Sequence, residues 1–182
     1  MIHELTHIRQ LVSINRQVRE LAKTNDLPLP INDDVVQARF GRMAGFERAF
    51  RQERDLFYQA VALKDPAKQR ALVRRGLDLV QQRQARYFGG DNAAYAEIES
   101  LFLTMEGAGQ WAAYRFALSR PGAHGSGEAA LASLRGRQRA WSEDEGLALF
   151  LLLDALVPSW QERIFGTVTA SPFRLLEAAL GR

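Results

Sequence analysis

Apolar residues recur at steps of three and four along most of this chain. In the first segment Ile2, Leu5, Ile8, Leu11, Val12, Ile14, Val18 and Leu21 keep that spacing, which predicts a helix from Ile2 to about Thr24. Asn25 to Asn32 breaks the pattern, with Pro28 and Pro30 in an extended stretch. A second helix is expected to start at Asp33 or Asp34, either of which could cap it, and to reach about Leu63. Gly41 and Gly45 lie inside it and mark a kink or a close helix crossing. Asp65-Pro66 opens a third helix with a cap followed by proline at the first helical position. That helix runs to about Phe88 and stops at Gly89-Gly90. Asp91 is expected to cap a fourth, reaching about Ser119. Arg120 to Gly127 reads as a mobile loop. Shorter helices follow near Glu128 to Arg135, Ser142 to Leu156 and Ser159 to Phe165, and Ser171-Pro172 starts a last one ending at Gly181. No alternating stretch long enough for a strand is present, so the pattern predicts an all-α fold forming one helical domain over residues 1–182.

Composition narrows what such a domain can do. The chain has 182 residues and is 47% hydrophobic, enough for one core. It has no cysteine, which excludes disulfides and thiolate metal sites and leaves imidazole and carboxylate as metal ligands. The net charge is +3 and the pI about 9.6. The basic side is almost all arginine, with Lys23, Lys64 and Lys68 the only lysines. Charge spread along the whole chain reads as a solvated surface, and no nucleic-acid partner is expected. The most apolar run, Leu147 to Val157, is short and carries Asp154, so it reads as a buried core helix and not as a membrane span. The chain begins inside a patterned helix with no charged-then-apolar leader, so no signal peptide is expected in it, and the compartment stays open.

Residues 3–7 read His-Glu-Leu-Thr-His. Positions i and i+4 of a helix lie on one face, so His3 and His7 can aim two nitrogens at one metal. Glu4 sits beside the first ligand and can reach a metal-bound water as general base without binding the metal. Ile2, Leu5, Thr6 and Ile8 are uncharged, as suits a helix buried near a metal. The competing reading is an ordinary amphipathic helix with two incidental histidines. A catalytic zinc needs a third protein ligand, and with His124 the only other histidine a carboxylate is expected. Glu106 follows the apolar stretch Leu101 to Met105 and precedes Gly107, Ala108 and Gly109. A carboxylate there is expensive to bury unless paired or bound to metal, and the small residues let another helix approach. Glu106 is therefore preferred to Glu97 and to Glu99, which lies two turns earlier on a similar face and is its main rival.

His3-Glu4-x-x-His7, followed in a later helix by Glu106-Gly107-x-x-x-Trp111, resembles the gluzincin metallopeptidases. The likeness is to bacterial members with a Glu-Gly-x-Ala-x-Tyr/Trp signature on the second metal helix. The resemblance implies Zn2+ held by His3, His7 and Glu106 in metal-binding helices of about 2–24 and 91–119. Residues 33–88 then form a helical insertion, and 128–181 the C-terminal helices. It also implies Glu4 as general base, and hydrolysis of an amide bond in a peptide or protein substrate. Glu145 to Asp154, followed by Trp160, is similar to the helix after the active site. Two positions depart from the pattern. Gly109 stands where the signature is usually alanine-like. Glu143, three residues before Gly146, stands where several relatives carry a tyrosine for the oxyanion. That role is left to His124, Tyr114 or Arg115, and Gln110 or Glu99 could orient a ligand histidine. Zincins place a β-sheet before this helix, so the resemblance implies the helical catalytic portion of a truncated, zincin-like enzyme. The missing upstream part would supply the sheet and any signal peptide, and the full-length protein could be extracytoplasmic. The other reading is a non-catalytic helical interaction module or inactive fragment, its Arg-rich segment from Arg39 to Arg86 meeting acidic partners or nucleic acid.

Overall fold

The computed structural model describes residues 2–27, 31–119, 126–136, 140–166 and 169–182. Among these the helical spacing is realised as helices α1 (Ile2–Thr24), α2 (Val35–Phe40), α3 (Phe46–Ala62), α4 (Pro66–Tyr87), α5 (Ala94–Ser119), α6 (Gly127–Arg135), α7 (Trp141–Leu156), α8 (Trp160–Ile164) and α9 (Pro172–Ala179). No strand occurs among the described residues, and the class is all-α.

Several boundaries follow from local chemistry. The Asp65 carboxylate accepts from the backbone N–H of Ala67 and Lys68 at 2.9 and 3.2 Å, with Pro66 at the first position of α4. The helix expected from Asp33 to Leu63 is instead two. Gly45 takes φ +84°, a left-handed conformation open to glycine and hostile to helix continuation, and the chain turns between Phe40 and Phe46. The two phenylalanines stack across that turn with ring centroids 5.4 Å apart. Asp91 is not a helix cap. It lies inside a 3-10 turn, Gly90–Asn92, and α5 begins at Ala94.

Helix α5 is the axis of the fold. From Ile98 to Gln110 every residue except Met105 is buried, because α1 and α7 pack along it. Burial on all sides demands small residues where backbones meet. A Cβ added at Gly107 would lie 2.6 Å from the Phe150 ring and 2.7 Å from the Gly146 carbonyl oxygen. One added at Gly146 would lie 2.8 Å from the Gly107 Cα. The paired glycines let α5 and α7 touch backbone to backbone. The run Leu147–Phe150 of α7 is wholly buried, and Ala148, Leu149 and Phe150 join the larger core with Phe57, Leu77, Leu103 and Trp160, as the apolar sequence predicts. No described helix is long and apolar enough to cross a membrane.

A second cluster joins α1, α2 and the start of α5 through Ile14, Val18, Phe40, Phe46, Phe88, Tyr95 and Ile98. On α1 the inward arc is His3, His7, Gln10, Ile14 and Val18. Leu5, Ile8 and Val12 lie on the opposite arc, 57, 63 and 82% exposed, which corrects the reading of the residues around the histidines as uniformly buried. At about 100° per residue, a step of two from His3 carries Leu5 to the far side of the helix. Between the two clusters sits Arg83 of α4, fully buried beneath Phe46, Phe50 and Phe88 and paired with Glu53 and Glu99.

Gly107→Ala is expected to destabilise the fold by about 1–3 kcal/mol through overpacking at the α5–α7 crossing. This holds although alanine is the better helix former by about 1 kcal/mol. Urea denaturation of the variant beside Gly89→Ala, whose φ is −80° and whose added Cβ would meet only the Ala85 carbonyl oxygen at 4.0 Å, isolates the crowding.

Candidate metal centre

Helices α1 and α5 run antiparallel, His3 lying against Gly109 and Gln10 against Thr104. The i, i+4 spacing stacks His3 and His7 on the face of α1 that meets α5, with ring centroids 4.4 Å apart. Glu106 rises between them. Its Oε2 is 3.0 Å from His3 Nε2 and its Oε1 3.5 Å from His7 Nε2. One donor atom from each of the three residues lies within 4.8 Å of the others. Zinc ligands bonded at about 2.0–2.2 Å in a tetrahedron sit about 3.3–3.6 Å apart, so a small inward adjustment would close this set on a divalent ion.

One further observation fits a metal here. A Cβ at Gly109 would stand 2.9 Å from both Cε1 and Nδ1 of His3. Glycine, which departs from the alanine-like signature, is thus what lets the ring lie flat on α5. His7 Nε2 stands 3.5 Å from Glu106 Oε1, while its Nδ1, the atom that a metal-bound histidine ordinarily ties to a second group, is buried with no partner among the described residues.

Electrostatics tie the triad together. Burial acts to raise the Glu106 pKa, but the hydrogen bonds from His3 and His7 overcome it and hold the carboxyl at about 2. The same bond to Glu106 raises His3 above its ordinary value of 6.5 against the opposing effect of desolvation. Glu4 and Glu143 add their negative fields at His3.

The other sequence candidates divide. Glu4 is exposed on α1 beside His3. Gln110 does not orient a ligand histidine. Its Nε2 donates to Glu143 Oε1 at 3.2 Å, while Glu143 Oε2 accepts from the Ala140 N–H. Glu99 is neither the third ligand nor a support for one. Arg83 and Gln84 of α4 donate to it at 2.8–3.1 Å. Glu97 lines a separate groove with Arg174 and Glu177. The Tyr114 hydroxyl packs against Gly127 at the start of α6, and Arg115 turns to Asp154 at 3.7 Å. His124 lies outside the described residues. One carboxylate near the site was not singled out for it by spacing. Asp33, expected only as a cap, is half-buried and feels the charges of Glu106 and Glu143. It lines a small cavity with Gln37, Trp141 and Ser142. Its only local signal is the acidic pair Asp33-Asp34, which reads equally well as a helix start.

Scanned against protein families, curated proteins and solved structures, the chain matches none.

In the metal-free protein Glu106→Gln is expected to return the His3 pKa toward 6.5, followed by NMR titration of the imidazole. Because the folded pKa of His3 is raised, the pair's contribution to stability is present below the unfolded pKa and is lost as pH rises through the folded one. The variant should lack that loss.

Proposed function

We propose that this chain is the helical catalytic portion of a zincin-like metallopeptidase, hydrolysing amide bonds in a peptide or protein substrate. The observation that supports it most is the convergence of His3, His7 and Glu106 from two helices, within 4.8 Å, with the buried carboxylate paired to both imidazoles. Two imidazoles and a carboxylate suit zinc with a position left open. A bound zinc ion supplies an acidified water and a polarised substrate carbonyl.

The protein's own groups carry the rest. His3 and His7 are held on the face of α1 by its packing on α5, and Glu106 is held from below by the buried turn of α5. Glu4, next to His3 and open to solvent, accepts the proton of the attacking water and delivers it to the leaving nitrogen. The Gln110–Glu143 pair borders the site from α7. A second reading, a non-catalytic helical interaction module, draws on the exposed arc Leu5, Ile8 and Val12 of α1.

Zinc supplied to the purified chain is expected to bind at one equivalent, measured by elemental analysis and calorimetry. His3→Ala, His7→Ala or Glu106→Gln should weaken it by more than about 100-fold, since even outer-shell changes cost about 10–100-fold. Glu4→Gln should keep the metal and lower peptide hydrolysis by about 100- to 10,000-fold. A chain that takes up no zinc sinks the proposal. Zinc uptake with no hydrolysis in wild type favours the interaction module.

A further inference from the structure

The centre of the α3–α4–α5–α7 bundle holds four charged side chains, one from each helix: Glu53, Arg83, Glu99 and Glu145. Arg83 Nε and an Nη reach Glu53 Oε1 at 2.7 and 2.6 Å. Its Nη atoms meet both Glu99 oxygens at 2.8 and 3.1 Å, and Gln84 adds a donor to Glu99 at 3.0 Å. Every direction of the guanidinium fork is thus spent on two carboxylates. The third, Glu145, is 0% exposed, and neither of its oxygens has a partner among the described residues. Glu53 Oε2 is equally buried and equally unmatched.

Three acids against one cation cannot all stay ionised out of water. A lone buried carboxylate costs far more than a fold of this size can spare, and such a group takes a proton instead. Arg83 cannot relinquish its own. A metal is a poor alternative occupant, because the three carboxylates do not converge within ligand reach as the histidine site does.

We propose that the bundle centre is a proton-binding site, in which Glu145 takes up one proton from solvent on folding and stands as a neutral carboxylic acid at neutral pH. The groups facing it are Glu53 on α3, Arg83 on α4, Glu99 on α5 and, on its own helix, Asp144. Burial first, and the Glu53 charge next, push Glu145 well above the ordinary 4.5. Burial lifts Glu53 to about 7 against the opposing pull of Arg83.

The sign follows from the raised folded pKa. The site costs nothing below the unfolded value near 4.5, and stability falls as pH rises above it, until the folded group ionises. Ionisation would strain the α5–α7 crossing, since Gly146, the next residue, is the one that touches Gly107.

The test uses the whole chain labelled with 13C at glutamate side-chain carboxyls. A Cδ resonance is expected at the protonated position at neutral pH that is absent in Glu145→Gln and distinct from the Glu53 signal titrating at about 7. The variant should also be at least as stable as wild type at mildly alkaline pH. Its stability profile above the unfolded pKa should be flatter, by up to about tenfold in the folding equilibrium constant per pH unit. An ionised Glu145 at neutral pH, as a bound cation would leave it, overturns the proposal, and so does a variant with the wild-type slope. Should Glu145→Gln not fold, the infrared carbonyl band of a buried carboxylic acid in wild type, followed upward past the Glu53 value of about 7, decides: persisting there, it supports the site; absent, it refutes it. Neither readout depends on zinc.

Discussion

Helix α5 carries Glu99 and Glu106 into the interior two turns apart on one face, and the arrangement of its neighbours follows from answering those two charges. Unanswered, either carboxylate would cost several kcal/mol or more. Glu99 is met by Arg83 and Gln84 from α4, Glu106 by His3 and His7 from α1. Each answer fixes a helix. Arg83 also gathers Glu53 and three aromatic rings, so α3 and α4 are locked to α5 at one level. The histidines lock α1 to it at another. A buried ion pair is weak evidence for net stability, but removing one partner here would leave a charge in the core. The pairs therefore act more on which arrangement forms than on how stable it is.

Close backbone approach is what brings these side chains within reach. Gly107 against Gly146 sets the α5–α7 contact, and Gly109 opens the space that His3 fills. The same small-residue stretch thus serves the core on one side of α5 and the candidate metal centre on another. A methyl group at Gly107 would press on the Phe150 ring and the Gly146 carbonyl. Add one at Gly109 and His3 would be lifted off the helix. Fold and site share one structural requirement.

How much of this was legible in the sequence depends on the range of the interaction. Helices with local punctuation came through: Asp65-Pro66 caps α4 as read, and the apolar run of α7 is core. The i, i+4 histidines are a local pattern too, and Glu106 could be reached by asking where a buried carboxylate would need a partner. What failed were choices set by tertiary neighbours. The Gly41–Gly45 turn gives only a weakened helical signal, and its depth comes from Phe40 and Phe46 folding back on one aromatic cluster. Glu99 and Glu106 look alike in sequence, and only the different helices facing them assign one to arginine and the other to histidine. Leu5, Ile8 and Val12 are apolar, yet periodicity does not say which arc of α1 faces α5.

That difference in partners also sets the two carboxylates of α5 apart chemically. Arginine keeps its charge at any accessible pH, so Glu99 is permanently satisfied and has nothing to gain from a metal. Histidine is the side chain whose charge changes near neutrality. Below its pKa, His3 offers Glu106 a proton-bearing partner. Above it, the His3 imidazole becomes a neutral donor of an electron pair, and Glu106 is left with a charge that a divalent ion would satisfy better than a neutral ring. Proton and metal then compete for the same three side chains, and rising pH favours the metal as the ligands lose their protons. The buried carboxylate on α5 is what both occupants answer. Its pairing with titratable groups, rather than its burial alone, makes this end of the helix the one suited to chemistry.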